Sequence, residues 1–144
     1  MFTNIAVAYD ESPEARRALI AALGLTKCLG ARVQTITVME SLPAYTAYGT
    51  AADASVAVVL ENDRSRFYEK LQADARAAAA KEGIELVTHA IDGEEVDGIV
   101  KFVRDHKIDL LVIGIHRRQN LVTRLWSTVY TVAQSVPCSV LGVH

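Results

Sequence analysis

The sequence predicts an α/β fold: a single doubly wound, parallel five-stranded sheet with helices on both faces. Three observations predict it. Short β-branched runs alternate with stretches of helical periodicity four times, and the chain closes on a strand. Most of the connections are short, as in parallel strands joined by crossover helices. The fourth run, Leu110–Ile115, is apolar throughout instead of alternating, the pattern of a strand covered on both faces. A chain of 144 residues suits one domain, 1–144, and its 51% apolar content is enough for a full core.

Each element has its own signal. Ile5–Tyr9 is a short apolar strand ending at Asp10. Ser12 has the chemistry of an N-cap and Pro13 fits the first helical position. Ala15, Leu19, Ala22 and Leu23 then keep helical spacing up to a stop at Gly30. Val33–Glu40 reads as the second strand. The stretch "SLPAYTAYGTAADAS", with Pro43 and Gly49, reads as a loop. A long helix follows, with Leu60, Phe67, Leu71, Ala75 and Ala78 on its packed side and Gly83 at its end. The "ARAAAA" tract within it is simply a good helix former. Ile84–Ile91 is the third strand. Asp92 and Glu95 have the spacing of a capping box, opening a helix with Val96, Ile99, Val100 and Val103 on one stripe. Leu110–Ile115 is the fourth strand. Leu121, Leu125, Val129, Val132 and Ala133 mark a last helix that closes before Pro137, and Ser139–Val143 is the fifth strand.

Composition narrows the function. A net charge of −2 gives no general electrostatic affinity for nucleic acid or an anionic membrane. No apolar run approaches the roughly 20 residues of a membrane span, and "MFTNIAVAYDESPE" lacks the basic start and cleavage site of a signal peptide. Two cysteines, Cys28 and Cys138, form no CxxC pair, and Cys28 is expected to pack as a small hydrophobe. The expectation is a reduced, cytoplasmic setting. His89, His106 and His144 are scattered along the chain, so no metal site is expected.

In a doubly wound sheet a ligand binds beyond the carboxyl ends of the strands, where strand order reverses. With the first strand central and the fourth beside it, Asp10 and the turn "GIHRRQN" from Gly114 flank one crevice. A carboxylate suits ribose hydroxyls or an amine, and a glycine turn feeding a helix N-terminus suits phosphate.

These residues carry a family resemblance. "IAVAYDESPEARRAL" resembles the opening of the universal stress protein family, and "DLLVIGIHRRQNLVTRLWSTVYTVAQSVPCSVLGV" resembles its C-terminal signature. The resemblance covers the whole chain. It implies a Rossmann-like fold of the adenine nucleotide alpha hydrolase-like kind, a role in stress response, and ATP or AMP as ligand. The nucleotide-binding candidates it implies are Ala8, Tyr9 and Asp10 at the first strand and Val38 and Met39 at the second. At the fourth strand and the turn beyond it they are Gly114, His116, Arg117, Arg118, Ser127, Thr128 and Val129.

The family's nucleotide-binding members have Gly, two residues, Gly, nine residues, then Gly and Ser or Thr. Here Gly114 holds the first position, but Arg117 and Ser127 stand where the other two glycines belong, and Thr128 keeps the hydroxyl. Glycine adopts positive φ freely and admits phosphate to the backbone amides. Arginine in a left-handed conformation costs roughly 1–2 kcal/mol. Against this, Arg117 and Arg118 can each donate a charge-assisted hydrogen bond worth roughly 1.5–3 kcal/mol, and Arg124 adds to the field. The leading expectation is a binding domain with a degenerate site, ATP affinity weakened or lost. The alternatives are a working ATP/AMP sensor and a slow nucleotide hydrolase. For the last, no catalytic residue is assigned: Ser127 and Thr128 lack a nearby His–Asp arrangement, and Glu94 and Glu95 read as first-turn acids favoured by the helix dipole. Trp126 reads as helix packing.

The fifth strand is apolar and has no lysine or proline to guard an edge. The resemblance implies a homodimer through it, with Val140, Leu141, Gly142 and Val143 at the contact.

Overall fold

A computed structural model describes residues 1–39, 53–116 and 128–144. Its elements are β1 (Asn4–Ala8), α1 (Pro13–Leu29), β2 (Arg32–Met39), α2 (Ala54–Lys81), β3 (Val87–Asp92), α3 (Glu95–Asp105), β4 (Leu110–Gly114), α4 (Thr128–Ser135) and β5 (Ser139–Val143). The sheet order is β3-β2-β1-β4-β5, with all four pairings parallel. The chain therefore reverses direction across the sheet between β1 and β4, as the sequence predicts.

Two cores sandwich the sheet. On one face Ile5, Val7, Val33, Leu110 and Val112 meet Ala18, Leu19, Ala22 and Leu23 of α1 and Leu71, Ala75 and Ala79 of α2. On the other, Ala6, Ile36 and Leu111 meet Ile99, Phe102 and Val103 of α3 and Val132 of α4. Fully buried aliphatic side chains such as Ile5, Leu19 and Leu111 each contribute about 1.5–3 kcal/mol. The alanines of α1 bring its axis close to the sheet.

Local chemistry sets the ends of α1. The Ser12 hydroxyl accepts from the Ala15 N–H at 3.1 Å, Pro13 opens the helix, and Gly30 closes it at φ 64°. At the opposite end of the sheet from the reversal point, the Asp109 carboxylate accepts from the Thr3 N–H and hydroxyl, both at 2.8 Å, and from the Asn4 N–H at 3.0 Å. This pins the start of β1 beside β4.

Several expectations need correction. β3 begins at Val87, not Ile84, because Ile84 still belongs to the helix-ending turn, its N–H donating to the Ala79 carbonyl at 3.0 Å. Asp92 does not cap α3. It pairs with Met39 in the β2–β3 ladder and makes an ion pair with Arg64, while the Glu94 carboxylate accepts from the Val96 and Asp97 N–H groups and is the cap. α2 begins at Ala54, inside the stretch read as a loop, with Asp53 capping it through the Ser55 N–H; residues 40–52 of that stretch lie outside the described residues. Phe67, expected on the packed side, is 46% exposed. A 28-residue helix runs about 42 Å, whereas strands of five to eight residues span less than 30 Å. Its N-terminal half overruns the sheet, and burial begins at Leu71. Cys28 is exposed instead of packed.

Candidate functional site

At the reversal point the carboxyl ends of β1, β2 and β4 open onto a cavity of about 560 Å³ on the α3–α4 side of the sheet. Its floor is apolar: Ala8, Ile36, Val38, Ile113 and Ile99. Polar groups ring the mouth, with Asp10 and Ser12 from the turn after β1, His116 from the turn after β4, and Thr128 at the start of α4 as described. An apolar slot with a few convergent polar groups is the usual form of a small-molecule site.

The main chain here is held firmly. The Tyr9 N–H donates to the Ile36 carbonyl at 2.9 Å, and the Tyr9 carbonyl accepts the Thr37 hydroxyl at 2.7 Å. The Tyr9 phenol is buried on the α1–α2 side, and burial pushes its pKa up despite the opposing Arg16 charge. Tyr9 thus sets the strand end, and its backbone contributes to the cavity edge. The exposed Asp10 carboxylate accepts the Ser12 N–H at 2.8 Å. That bond fixes one oxygen and aligns the carboxylate with the capped end of α1.

Gly114 explains how α1 comes so near. A Cβ built on it would lie 2.6 Å from the Glu14 carbonyl carbon and 2.7 Å from the Ala15 nitrogen. The glycine serves a close approach of two main chains, and the first turn of α1 becomes a wall of the cavity. Beyond it, His116 Nδ1 lies 3.0 Å from Glu14 Oε2. Glu14 Oε1 also accepts from Arg17 at 3.2 Å, and Arg17 Nε donates to the His144 carbonyl at 2.9 Å. The Glu14 carboxyl is held below the usual carboxylate range, first by its own backbone N–H and then by His116 and Arg17, against partial desolvation.

The expected residues Ala8, Tyr9, Asp10, Val38, Gly114, His116, Thr128 and Val129 therefore come together around one cavity. Met39 ends β2 half-buried and does not line it. Arg117, Arg118 and Ser127 lie outside the described residues, as do Arg124 and Trp126. Sequence reasoning missed Ser12, Glu95, Ile99, Ile115, Tyr130 and His144 as lining groups. His144 arrives through strand register: Gly114 pairs with Val143, which sets the last residue beside the β4 end. Ile115 is anchored there too, its N–H donating to the Val143 carbonyl at 2.7 Å.

The model of the universal stress protein family matches residues 1–144. The chain belongs to the universal stress protein family. No curated relative matches it by sequence. Among solved structures it is similar to universal stress protein UspA from Lactobacillus plantarum, with TM-score 0.78, 21% identity, and coverage of 99% of this chain and 98% of that one. A universal stress protein in complex with cAMP superposes with TM-score 0.74 at 21% identity, over 99% of this chain and 97% of that one. The universal stress protein from Archaeoglobus fulgidus in complex with dAMP gives 0.71 at 20% identity, over 99% and 98%. The five-stranded parallel α/β architecture is thus the family's fold.

The histidines also need a correction. His89 on β3 and His106 at the end of α3, read as scattered, sit with ring centroids 5.0 Å apart, and Phe102 stacks on His106. His89 Nε2 lies 3.0 Å from Gln34 Oε1. Burial, and then the His106 charge, lower the His89 pKa. This cluster lies outside the cavity. Among the described residues no group of three or more His, Cys, Asp or Glu side chains is placed to hold a metal ion. Among them, too, no helix is long and apolar enough to cross a membrane.

Proposed function

We propose that this universal stress protein is a cytoplasmic regulatory domain that acts by binding an adenine nucleotide in the cavity at the strand reversal, without turning it over. The observation that carries the reading is the joining of an apolar floor to the Asp10 carboxylate, the close-packed Gly114 and the Thr128 hydroxyl around a single 560 Å³ space. The floor suits a purine ring, Asp10 suits ribose hydroxyls, and the Gly114–Thr128 side suits a phosphate. The complexes of similar folds with cAMP and dAMP support a ligand with one phosphate. Arg117 and Ser127, in place of two glycines of the family pattern, weaken a triphosphate most, because it needs the longest stretch of bare backbone. The domain works as a homodimer through β5, whose outer edge has no strand partner among the described residues.

Thermal-shift and calorimetric titrations with adenosine, cAMP, AMP, ADP and ATP test this. A ligand at a hundredfold over its Kd stabilises by about 2.7 kcal/mol. The expectation is stabilisation by the monophosphates, a weaker effect of ATP, loss of both in Asp10→Ala, and no phosphate release from ATP. No response to any adenine ligand at millimolar concentration overturns the reading. Tightest binding by ATP overturns the degenerate site.

A further inference from the structure

Glu14 stands in the first turn of α1 and His116 just beyond β4, and Gly114 at the end of β4 lets that strand approach the Glu14 main chain closely. The carboxylate is fixed from two sides, by His116 Nδ1 at 3.0 Å and Arg17 at 3.2 Å, with Arg17 itself anchored to the His144 carbonyl. A carboxylate oxygen only accepts, so the imidazole proton facing it sits on Nδ1. In the neutral ring Nε2 is then a bare lone pair. His116 lines the cavity and no other described residue bonds its ring. An anionic oxygen approaching a bare lone pair is repelled. The same oxygen approaching a protonated Nε2 receives a charge-assisted hydrogen bond, while Glu14 compensates the new charge from the other side of the ring.

We propose that Glu14 and His116 form a proton-linked anion contact: a ligand carrying a phosphate ester or diester enters the cavity together with one proton, taken up at His116 Nε2, and Glu14 is the positioning residue that fixes the ring for it. The inference rests on the nucleotide reading and adds its regulation by pH. Among the described residues, Glu14 touches the ring, Arg17 holds Glu14, and the charged or titratable groups that share the cavity with His116 are Asp10 after β1, Glu95 of α3, Tyr130 of α4 and His144. Of these His144 shares the imidazole chemistry, so it needs its own control.

The test is isothermal titration of the full chain with cAMP and with adenosine between pH 6 and pH 8. The cyclic phosphodiester keeps one fixed negative charge over this range, so a slope reports on the protein. Imidazoles titrate between pH 5 and 8, so cAMP is expected to bind about tenfold tighter at pH 6 than at pH 8, and its enthalpy near pH 7 to depend on the buffer's ionisation heat, marking proton uptake. Adenosine is expected to show no slope. The E14Q and H116Q variants, checked for native fold by circular dichroism, lose the cAMP slope and the proton uptake, and H144Q keeps both. If cAMP and adenosine both bind and cAMP shows neither slope nor proton uptake, the contact is overturned and the nucleotide reading stands. A slope that survives H116Q overturns it equally. If neither ligand binds, the reading of the cavity falls and the proton linkage with it.

Discussion

Gly114 leaves no room for a side chain against Glu14: a Cβ there would stand 2.6 Å from the Glu14 carbonyl carbon and 2.8 Å from its Cβ. Both obstacles belong to the capped first turn of α1, which cannot yield without moving the helix. A Gly114→Ala substitution therefore acts as overpacking against backbone and is expected to cost about 1–3 kcal/mol. Because the displaced turn carries Glu14, cAMP affinity should fall in the same variant. Urea denaturation together with a cAMP titration checks both, and a Gly114→Ala protein as stable as its parent would show that the contact yields freely.

Thr35 lies in the middle of β2, fully buried, with a hydroxyl that has no hydrogen-bond partner among the described residues. Its neighbour on the same face, Thr37, has two, the Tyr9 carbonyl and the Gln72 amide. An unmade bond in the interior costs about 1–3 kcal/mol. Thr35→Val keeps the shape and removes the orphaned oxygen, so a stabilisation of about 1 kcal/mol is expected. Thr37→Val is expected to destabilise instead. Thermal melts of the two variants should move in opposite directions; a shared direction would mean that Thr35 is bonded in solution.

The His89–His106 cluster makes stability fall in mild acid. Burial, then the charge of His106, depress the His89 pKa in the folded state, so the unfolded chain takes up that proton more readily. Stability from the neutral ring is complete above the ordinary imidazole value near 6.5, and it is lost as pH falls from there through the lower folded value. His89→Gln can keep a hydrogen bond to Gln34 and has no proton to gain. Its chemical denaturation curve should be less pH-dependent between pH 7 and 5 than the parent's, and equal dependence would remove His89 as the cause.

What was legible in the sequence was local. Ser12, Pro13 and Gly30 announce the ends of α1 because capping and positive φ depend on near neighbours. The strand alternation gave the sheet and hence the reversal point, which places Asp10 beside Gly114. Asp92 and Glu94 are not told apart by local sequence, because each can cap a helix; the decision lies in the β2 ladder, which extends to Met39–Asp92 and keeps Asp92 in the strand. Cys28 could have been read correctly, since the buried stripe of α1 runs through Ala22, Leu23 and Thr26 and passes it by. The Glu14–His116 pair, the His89–His106 contact and the arrival of His144 were out of reach. Each depends on register or helix docking between segments far apart in the chain. So does the role of Gly114, which local reasoning assigns to phosphate and the packing assigns first to α1.

The edge at β5 yields the last prediction. Among the described residues the strand pairs with β4 on one side only, and Ser139–Val143 contains no lysine, proline or bulge that would discourage a second partner. A twofold axis joining two such edges requires the strands to run antiparallel, with the same residues meeting across it. Leu141 is the central residue of the five and is 37% exposed, so its two copies would lie nearest the axis. Leu141→Lys would set like charges opposite each other in the new ladder, while barely touching a side chain that the single subunit leaves partly in water. The expected outcome in light scattering is a dimer for the parent at high micromolar concentration and a monomer for the variant, with an unchanged circular dichroism spectrum. A monomeric parent, or a variant that assembles equally well, would take β5 out of the interface.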